Sequence, residues 1–202
     1  MKEENLVCIS CWSELAKTNL HREEENEFKK RFYGKVEIDL AMSFYKFTKS
    51  GKIQKLLHAL KYNNKPELGV LIGRKYGMEV KELVQKSIDI IVPIPLHKKR
   101  LKQRGYNQSD AFAQGLSEAL SIPWTNTAVA RVVESESQTQ KNRIERWKNV
   151  EHIFKVQHSE ELQDKRILLV DDVVTTGSTL EACAKVLLAH AKSVSIATIA
   201  IA

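Results

Sequence analysis

The sequence predicts an α/β domain built on a mostly parallel sheet with helices on both faces, plus a small N-terminal segment of a different kind. Apolar runs of strand length at 89–95 and 166–170 are typical of strands buried on both faces. Strand-like and helix-like stretches alternate along the chain, as they do in βαβ units. With 202 residues, 43% of them apolar, the chain is long enough for one such domain.

Each element follows from a local pattern. Leucine and isoleucine at helical spacing predict a helix over 51–62, and Pro66 begins a second, because proline is favoured at a first helical position. Gly69, Gly73 and Gly77 recur on that second helix and predict close packing against the sheet. A third helix carries Phe112 to Leu120, and a fourth begins near Ser178. The predicted strands are 40–47, 89–95, 129–133, 166–172 and 193–202.

Residues 1–36 differ from the rest and are predicted to form a separate segment, with the main domain over 37–202. They contain a CxxC pair, Cys8 and Cys11, followed by an acid-rich stretch and then KKRFYGK. Three cysteines cannot make a disulfide framework, and a close pair in a cytosolic chain suggests metal or redox chemistry. The third, Cys183, is expected to be a buried apolar residue of the fourth helix.

Charge and hydropathy limit the location and the partners. The net charge of +7 is compatible with a solvated basic surface or with a polyanionic partner, either a phosphorylated metabolite or nucleic acid. No apolar run reaches membrane-spanning length, and the opening MKEENL lacks the basic start of a signal peptide. We therefore expect a cytoplasmic protein without membrane insertion.

The stretch RILLVDDVVTTGSTL predicts the functional site. In parallel α/β sheets, ligands bind at the carboxyl ends of the strands, where Asp171 and Asp172 follow a buried run. The turn at 175–179 then brings backbone amides and hydroxyls to a helix start, which is a ready anion site. A phosphate and a sugar diol held side by side describe a ribose 5-phosphate. The simpler alternative is that the acidic pair only caps the helix.

Two other classes share an apolar strand that ends in paired aspartates, and both fit less well. The chain has neither a GxxxxGK[ST] loop nor a GxGxxG fingerprint, so a Walker B interpretation of the acidic pair lacks its partner. A receiver domain places paired aspartates near its start, whereas only 30 residues follow Asp172 here.

These residues carry a family resemblance. RILLVDDVVTTGSTL resembles the phosphoribosyl-pyrophosphate (PRPP) motif of type I phosphoribosyltransferases, and VPIPLHKKRLKQRGYNQS is similar to the matching stretch of the ComF/ComFC competence family. The resemblance implies a type I phosphoribosyltransferase-like fold. It also implies that Asp171 and Asp172 face the ribose hydroxyls as catalytic residues, with Mg²⁺ bridging hydroxyls and pyrophosphate. The implied 5-phosphate ligands are Thr175, Thr176, Gly177, Ser178 and Thr179.

Two further groups follow from the resemblance. A loop after the strand at 89–95 would bind pyrophosphate through Lys98, Arg100 and Arg104. The alternative interpretation of this basic run is a solvated surface without a ligand. The polar stretch after residue 133 resembles the flexible hood that closes over PRPP and excludes water. The residues that match the hood pattern are Arg131, Gln140, Arg143, Arg146 and Asn149.

CISCWSEL, at 8–15, resembles half of the zinc ribbon at the head of this family. A structural Zn²⁺ site takes four ligands, and here Cys8 and Cys11 supply only two, with His21 as a possible substitute.

Two functions remain open on the sequence. One is a PRPP-dependent transferase with an unknown acceptor. The other is a non-enzymatic component of DNA uptake that binds PRPP, a nucleotide or single-stranded DNA, with other competence proteins as partners. Aromatic residues among basic ones, typical of single-strand binders, occur only at Phe32–Tyr33 and at Trp147.

Overall fold

The computed structural model describes residues 6–132 and 153–202. The strands are β1 (Ala41–Lys46), β2 (Ile90–Pro93), β3 (Val129–Arg131), β4 (Phe154–Val156), β5 (Arg166–Val174) and β6 (Ser193–Ile201). The helices are α1 (Ile9–Ser13), α2 (Glu27–Lys30), α3 (Lys52–Tyr62), α4 (Pro66–Val84), α5 (Lys98–Arg104), α6 (Gln108–Leu120) and α7 (Ser178–Leu188). Two 3-10 turns, Leu20–Arg22 and Ser159–Glu161, complete the described elements.

The central sheet has four parallel strands in the order β1-β6-β5-β2. The strand predicted at 129–133 forms, as β3, but it lies outside this sheet and pairs antiparallel with β4 in a separate ribbon. The prediction of a parallel sheet is otherwise confirmed, and β5 and β6 are its central strands, as their continuous apolar sequences indicate.

Apolar side chains cover both faces of the sheet. Leu168 and Val170 of β5 face a cluster formed with α3, α4 and α6, whereas Ile167 and Leu169 face a second cluster formed with α2 and α7. Helices therefore lie on both faces, as predicted, and Cys183 of α7 is completely buried in the second cluster.

The glycines of α4 pack against α6 and not against the sheet, which corrects the sequence-based expectation. A Cβ on Gly73 would lie 2.4 Å from the carbonyl oxygen of Phe112, and one on Gly115 would lie 2.1 Å from that of Val70. The missing side chains thus allow the two helix backbones to approach each other closely. Periodic small residues indicate close packing but do not identify the partner.

The N-terminal segment packs on the main domain. Residues 16–18 cover the edge of β1, where the Thr18 amide donates to the Phe44 carbonyl at 3.0 Å. Phe28 and Phe32 are buried in the same cluster as α7. The division at residue 36 stays a prediction, but these contacts join both sides of it.

In the described part of the chain, no helix is both long and apolar enough to cross a membrane.

We predict that Gly115→Ala destabilises the protein by about 1–3 kcal/mol, because a methyl group there would overlap the α4 backbone. Helix propensity alone predicts the opposite sign, a gain of roughly 1 kcal/mol. Urea unfolding would measure the difference, with Gln114→Ala at the exposed neighbouring position as the control. A variant as stable as the wild type would show that the two helices are not held this close.

Candidate functional site

The two aspartates lie where β5 outruns its neighbour. Pairing between β2 and β5 ends at Pro93 and Val170, whereas pairing with β6 continues from Asp171 to Val174. The strand is thus two residues longer than predicted. Asp171 and Asp172 border the gap beyond the end of β2, at the carboxyl edge of the sheet where ligands bind in such folds.

Both carboxylates open into one cavity because the alternation of β5 breaks at this point. Successive side chains of a regular strand point to opposite faces. Val170 faces the cluster of α3, α4 and α6, so Val174 should face it too, yet Val174 lies in the other cluster. Asp171 and Asp172 line the same space of about 190 Å³, together with Ser109, Arg100, Arg104 and Arg131 among others. We call it the carboxylate cavity.

Asp171 is held by two donors. The Ser109 hydroxyl donates to Asp171 Oδ1 at 2.9 Å, and the backbone amide of Asp172 donates to the same oxygen at 2.8 Å. Burial, and after it the neighbouring carboxylate of Asp172, raises the pKa of Asp171 to about 7. The site therefore holds one carboxyl group that changes charge near neutral pH.

Asp172 has a different partner. Its Oδ2 lies 2.8 Å from the ammonium of Lys61, in the last turn of α3. A lysine there also interacts favourably with the negative end of the helix dipole. Lys61 was not predicted from the sequence, because a lysine in the last turn of an amphipathic helix has no local pattern that distinguishes it.

The residues predicted to bind the 5-phosphate form the loop between β5 and α7. Gly177 adopts φ +86°, a left-handed conformation that suits glycine, and offers no capping side chain to the helix. Thr175, Thr176 and Ser178 are exposed, and the hydroxyls of the last two lie 3.1 Å apart. The first amides of a helix lack intrahelical partners, so this loop can offer them to an anion.

The loop is supported from the N-terminal segment, which the sequence did not indicate. The Arg31 guanidinium donates to the carbonyl of Thr175 and, at 2.9 Å, to that of Ala202. A Cβ on Gly177 would lie 3.4 Å from the ring of Phe32, which is buried. Burial of Phe32 also contradicts its interpretation as an exposed stacking residue, and Trp147 lies outside the described residues.

The predicted pyrophosphate loop is a helix, α5, and this corrects the expectation of a loop. Lysine, arginine, leucine and glutamine all favour helices, and Gly105 at φ +79° ends this one. Arg100 and Arg104, four residues apart, share a helix face and line the carboxylate cavity. Lys98 is exposed and does not line that cavity.

Of the predicted hood residues, the structure describes one. Arg131 lies on β3, lines the carboxylate cavity, and has its guanidinium 5.5 Å from the centre of the Phe154 ring. Burial, followed by the positive charge of Arg100, lowers the pKa of Arg131. Gln140, Arg143, Arg146 and Asn149 lie outside the described residues.

The stretch Tyr106–Ser109 connects the parts of the site. The Tyr106 hydroxyl donates to the carbonyl of Leu60, next to Lys61, and Asn107 donates to the Ile94 carbonyl at 3.0 Å. Gln108 accepts from Arg104 at 2.8 Å, and Ser109 donates to Asp171. Each of these four residues thus bonds to a different part of the chain around the cavity. From the sequence, the stretch showed only its similarity to the ComF/ComFC family, and these contacts were not predicted.

Two further cavities meet at Lys61. The basic cavity, of about 510 Å³, is lined by Lys61, Tyr62, Asn64, Arg100, Gln103 and Arg104. The aromatic cavity, of about 320 Å³, is lined by residues that include Phe47, Leu57, His58, Tyr62 and Val173. Lys61 therefore stands between a region rich in cations and a region rich in rings.

The CxxC pair lies apart from this site. Cys8 is exposed, and hydrogen bonds from the backbone and the side chain of Cys11 lower the pKa of Cys8. Nowhere in residues 6–132 and 153–202 do three or more His, Cys, Asp or Glu side chains form a group that could hold a metal. His21 lies beside Glu79, with Nε2 3.8 Å from a carboxylate oxygen, and its ring packs against Tyr76. Zinc at Cys8 and Cys11 stays a prediction.

Comparison with known proteins identifies relatives of this chain. Residues 107–202 match the family described as phosphoribosyl transferase domain. Competence protein F of Haemophilus influenzae is 34% identical over 65% of this chain, and DNA utilization protein YhgH of Escherichia coli is 34% identical over 66%. Competence protein ComFC of Bacillus subtilis is 26% identical over 75%. The chain is a homologue of the ComF/ComFC proteins.

The relationship confirms the type I phosphoribosyltransferase-like fold expected from the sequence. The match spans about 60% of the length of these ComF/ComFC relatives. Among solved structures, glutamine PRPP amidotransferase from B. subtilis is 18% identical over 70% of this chain and 30% of that one. Its TM-score of 0.47 is too low to support any inference about the ligand.

The acidic pair of this ComF/ComFC homologue suits Mg²⁺. Proteins usually hold this ion through one or two carboxylates while phosphates and waters complete its coordination. Asp171 and Asp172 offer two such groups, and the described residues bring no third His, Cys, Asp or Glu to them. The described residues alone therefore do not form a cage, and Mg²⁺ at this site stays a prediction.

We predict that Asp171→Asn stabilises the fold at about pH 8. The pKa of about 7 lies above the ordinary value of about 3.9, so ionisation of Asp171 between these pH values costs folding free energy. Asparagine keeps an oxygen that can accept from Ser109 and Asp172 but carries no charge. The thermal midpoint should rise at about pH 8, and the gain should shrink as the pH falls towards 4. Asp164→Asn, at an exposed position, is the control; a lower midpoint for Asp171→Asn at pH 8 would contradict the assignment.

Proposed function

We propose that this chain binds PRPP at the carboxyl edge of β5 and transfers its phosphoribosyl group to an acceptor, with release of pyrophosphate, in DNA uptake or use. One observation carries the proposal: two carboxylates, three guanidinium groups and Thr179, in the first turn of α7, line a single cavity. This combination suits a ligand that has both a diol and phosphates.

Each group has a role in this reaction. The amides and hydroxyls at 175–179 would bind the 5-phosphate, and Asp171 and Asp172 would face the ribose hydroxyls. When the bond from the anomeric carbon to pyrophosphate breaks, positive charge develops on the ribose, and the nearby carboxylates stabilise it. Arg100 and Arg104 would neutralise the diphosphate that leaves with the bonding electrons. Mg²⁺ held by the acidic pair and the diphosphate would supply further charge neutralisation.

The acceptor side follows from the charges of the cavities. The diphosphate suits the cations of the basic cavity, and an acceptor that displaces it has to approach from another direction. The aromatic cavity shares Lys61 with the carboxylate cavity and offers Phe47, His58 and Tyr62. An acceptor with a flat, largely apolar ring fits these neighbours.

Titration with PRPP in the presence of Mg²⁺ tests the ligand. Calorimetry should give saturable binding to the wild type and at least about a tenfold loss in Asp171→Asn/Asp172→Asn, because both diol partners lose their charge. Glu160→Gln/Asp164→Asn removes two exposed acids from the other end of β5 and should bind like the wild type. Equal binding by all three proteins would exclude the proposed site.

The alternative is a non-enzymatic DNA-uptake component, with single-stranded DNA as ligand and other competence proteins as partners. The names of the relatives are compatible with it, and so is one observation. The exposed ring of Tyr62 lies 5.4 Å from the Arg104 guanidinium, beside Arg100 and Lys61, which combines an aromatic platform with cations.

We predict that Tyr62→Ala distinguishes the two functions. If single-stranded DNA is the ligand, removal of the ring should weaken binding of an oligo-thymidine about tenfold, because stacking contributes roughly 1–3 kcal/mol per base. Fluorescence anisotropy at several salt concentrations would measure it, with Met78→Ala, which truncates an exposed side chain of α4, as the control. If PRPP is the only ligand, neither variant changes DNA binding, and the Asp171/Asp172 variant alone loses PRPP.

A further inference from the structure

The ion pair between Lys61 and Asp172 occupies the centre of the proposed site. The ammonium lies 2.8 Å from Asp172 Oδ2, and the side chains are 25% and 13% exposed. Both groups are therefore largely removed from water, and a charge in such surroundings needs a partner of opposite sign. In the described site, Lys61 is the cation that compensates Asp172.

The same ammonium lies at the meeting point of the three cavities. Lys61 lines the carboxylate, basic and aromatic cavities, and it shares the first two with Arg100 and Arg104. Because lysine has a flexible four-carbon stem, a rotamer change can turn its ammonium from Asp172 towards the basic cavity. Tyr106 and the buried face of α3 hold the backbone in place.

A divalent cation at Asp172 and the ammonium of Lys61 would compete for the same carboxylate. The cation would have to displace a partly buried ion pair, leave the ammonium without a partner, and bind with few protein ligands. A diphosphate in the basic cavity changes this balance, because it offers Lys61 a new anionic partner and offers the cation phosphate oxygens.

We propose that Lys61 acts as the resident counter-ion of Asp172 and is transferred to the diphosphate when PRPP binds, so that the chain takes up the divalent cation only together with PRPP. This inference rests on the proposed function for its ligand. It adds a residue and an order of events that the acidic pair alone does not imply. Cation and PRPP are then positively linked, each raising the affinity for the other by the same factor.

Mn²⁺ binding, followed by electron paramagnetic resonance on the full chain, tests the proposal without any reaction. Wild type should bind Mn²⁺ weakly without PRPP, and Lys61→Met should bind it at least about tenfold more tightly, because the competing ammonium is gone. PRPP should strengthen Mn²⁺ binding by wild type by a similar factor and by Lys61→Met much less. Lys55→Met, on the exposed face of the same helix, should behave like the wild type, and Lys61→Arg should restore the linkage.

The possible failures are distinguishable. If Lys61→Met and Lys61→Gln, both with wild-type melting curves, bind Mn²⁺ no better than wild type while wild type binds PRPP with Mn²⁺, the counter-ion role is wrong and the proposed function stands. If wild type binds no PRPP with Mn²⁺, both fall. If Lys61→Met alone fails to fold, the Lys61→Gln titration decides the outcome.

Discussion

The site depends on one constraint, which is that β5 continues past the end of β2 while still paired with β6. A strand paired on both edges has its backbone groups satisfied and its side chains packed against helices. Where one neighbour ends, the strand gains an open edge, and polar side chains can project into the space that remains. Two adjacent carboxylates at such an edge stay partly buried, so each needs its own partner. Ser109 on one side and Lys61 on the other supply these partners.

The partners come from parts of the chain that are distant in sequence. Lys61 belongs to the end of α3, Ser109 to the start of α6, and Arg100 to α5. Tyr106 and Asn107 fix the relative positions of these elements through bonds to the Leu60 and Ile94 carbonyls. Charges of opposite sign are thereby kept close together without a ligand. The same elements hold the two carboxylates of Asp171 and Asp172 side by side in a partly buried site, which is costly for stability, and the raised pKa of Asp171 is one expression of that cost.

The sequence predicted those parts of the site that are encoded locally. An apolar run, two acids and a small hydroxyl-rich turn define β5, the loop and the start of α7 within about fifteen residues, and the structure has them in that order. Prediction failed where the deciding contact is distant. Lys61 and Arg31 look like ordinary surface cations in sequence, and only the fold brings them to Asp172 and Thr175. Phe32 was misjudged because its basic neighbours suggest exposure. Residues 98–104 were expected to form a loop because the family resemblance implies one there, although their lysine, arginine, leucine and glutamine residues favour the helix that the structure has.

The support of the loop by Arg31 and Phe32 has a consequence for how the molecule is made. The Arg31–Thr175 contact joins residues 144 positions apart. Synthesis proceeds from the N-terminus, so the guanidinium and the ring emerge long before the loop that they hold. Contacts of such sequence separation form late and slow folding. The loop at 175–179 therefore gains this support only after its own residues have been synthesised, and a fragment that begins at residue 37 would lack both contacts.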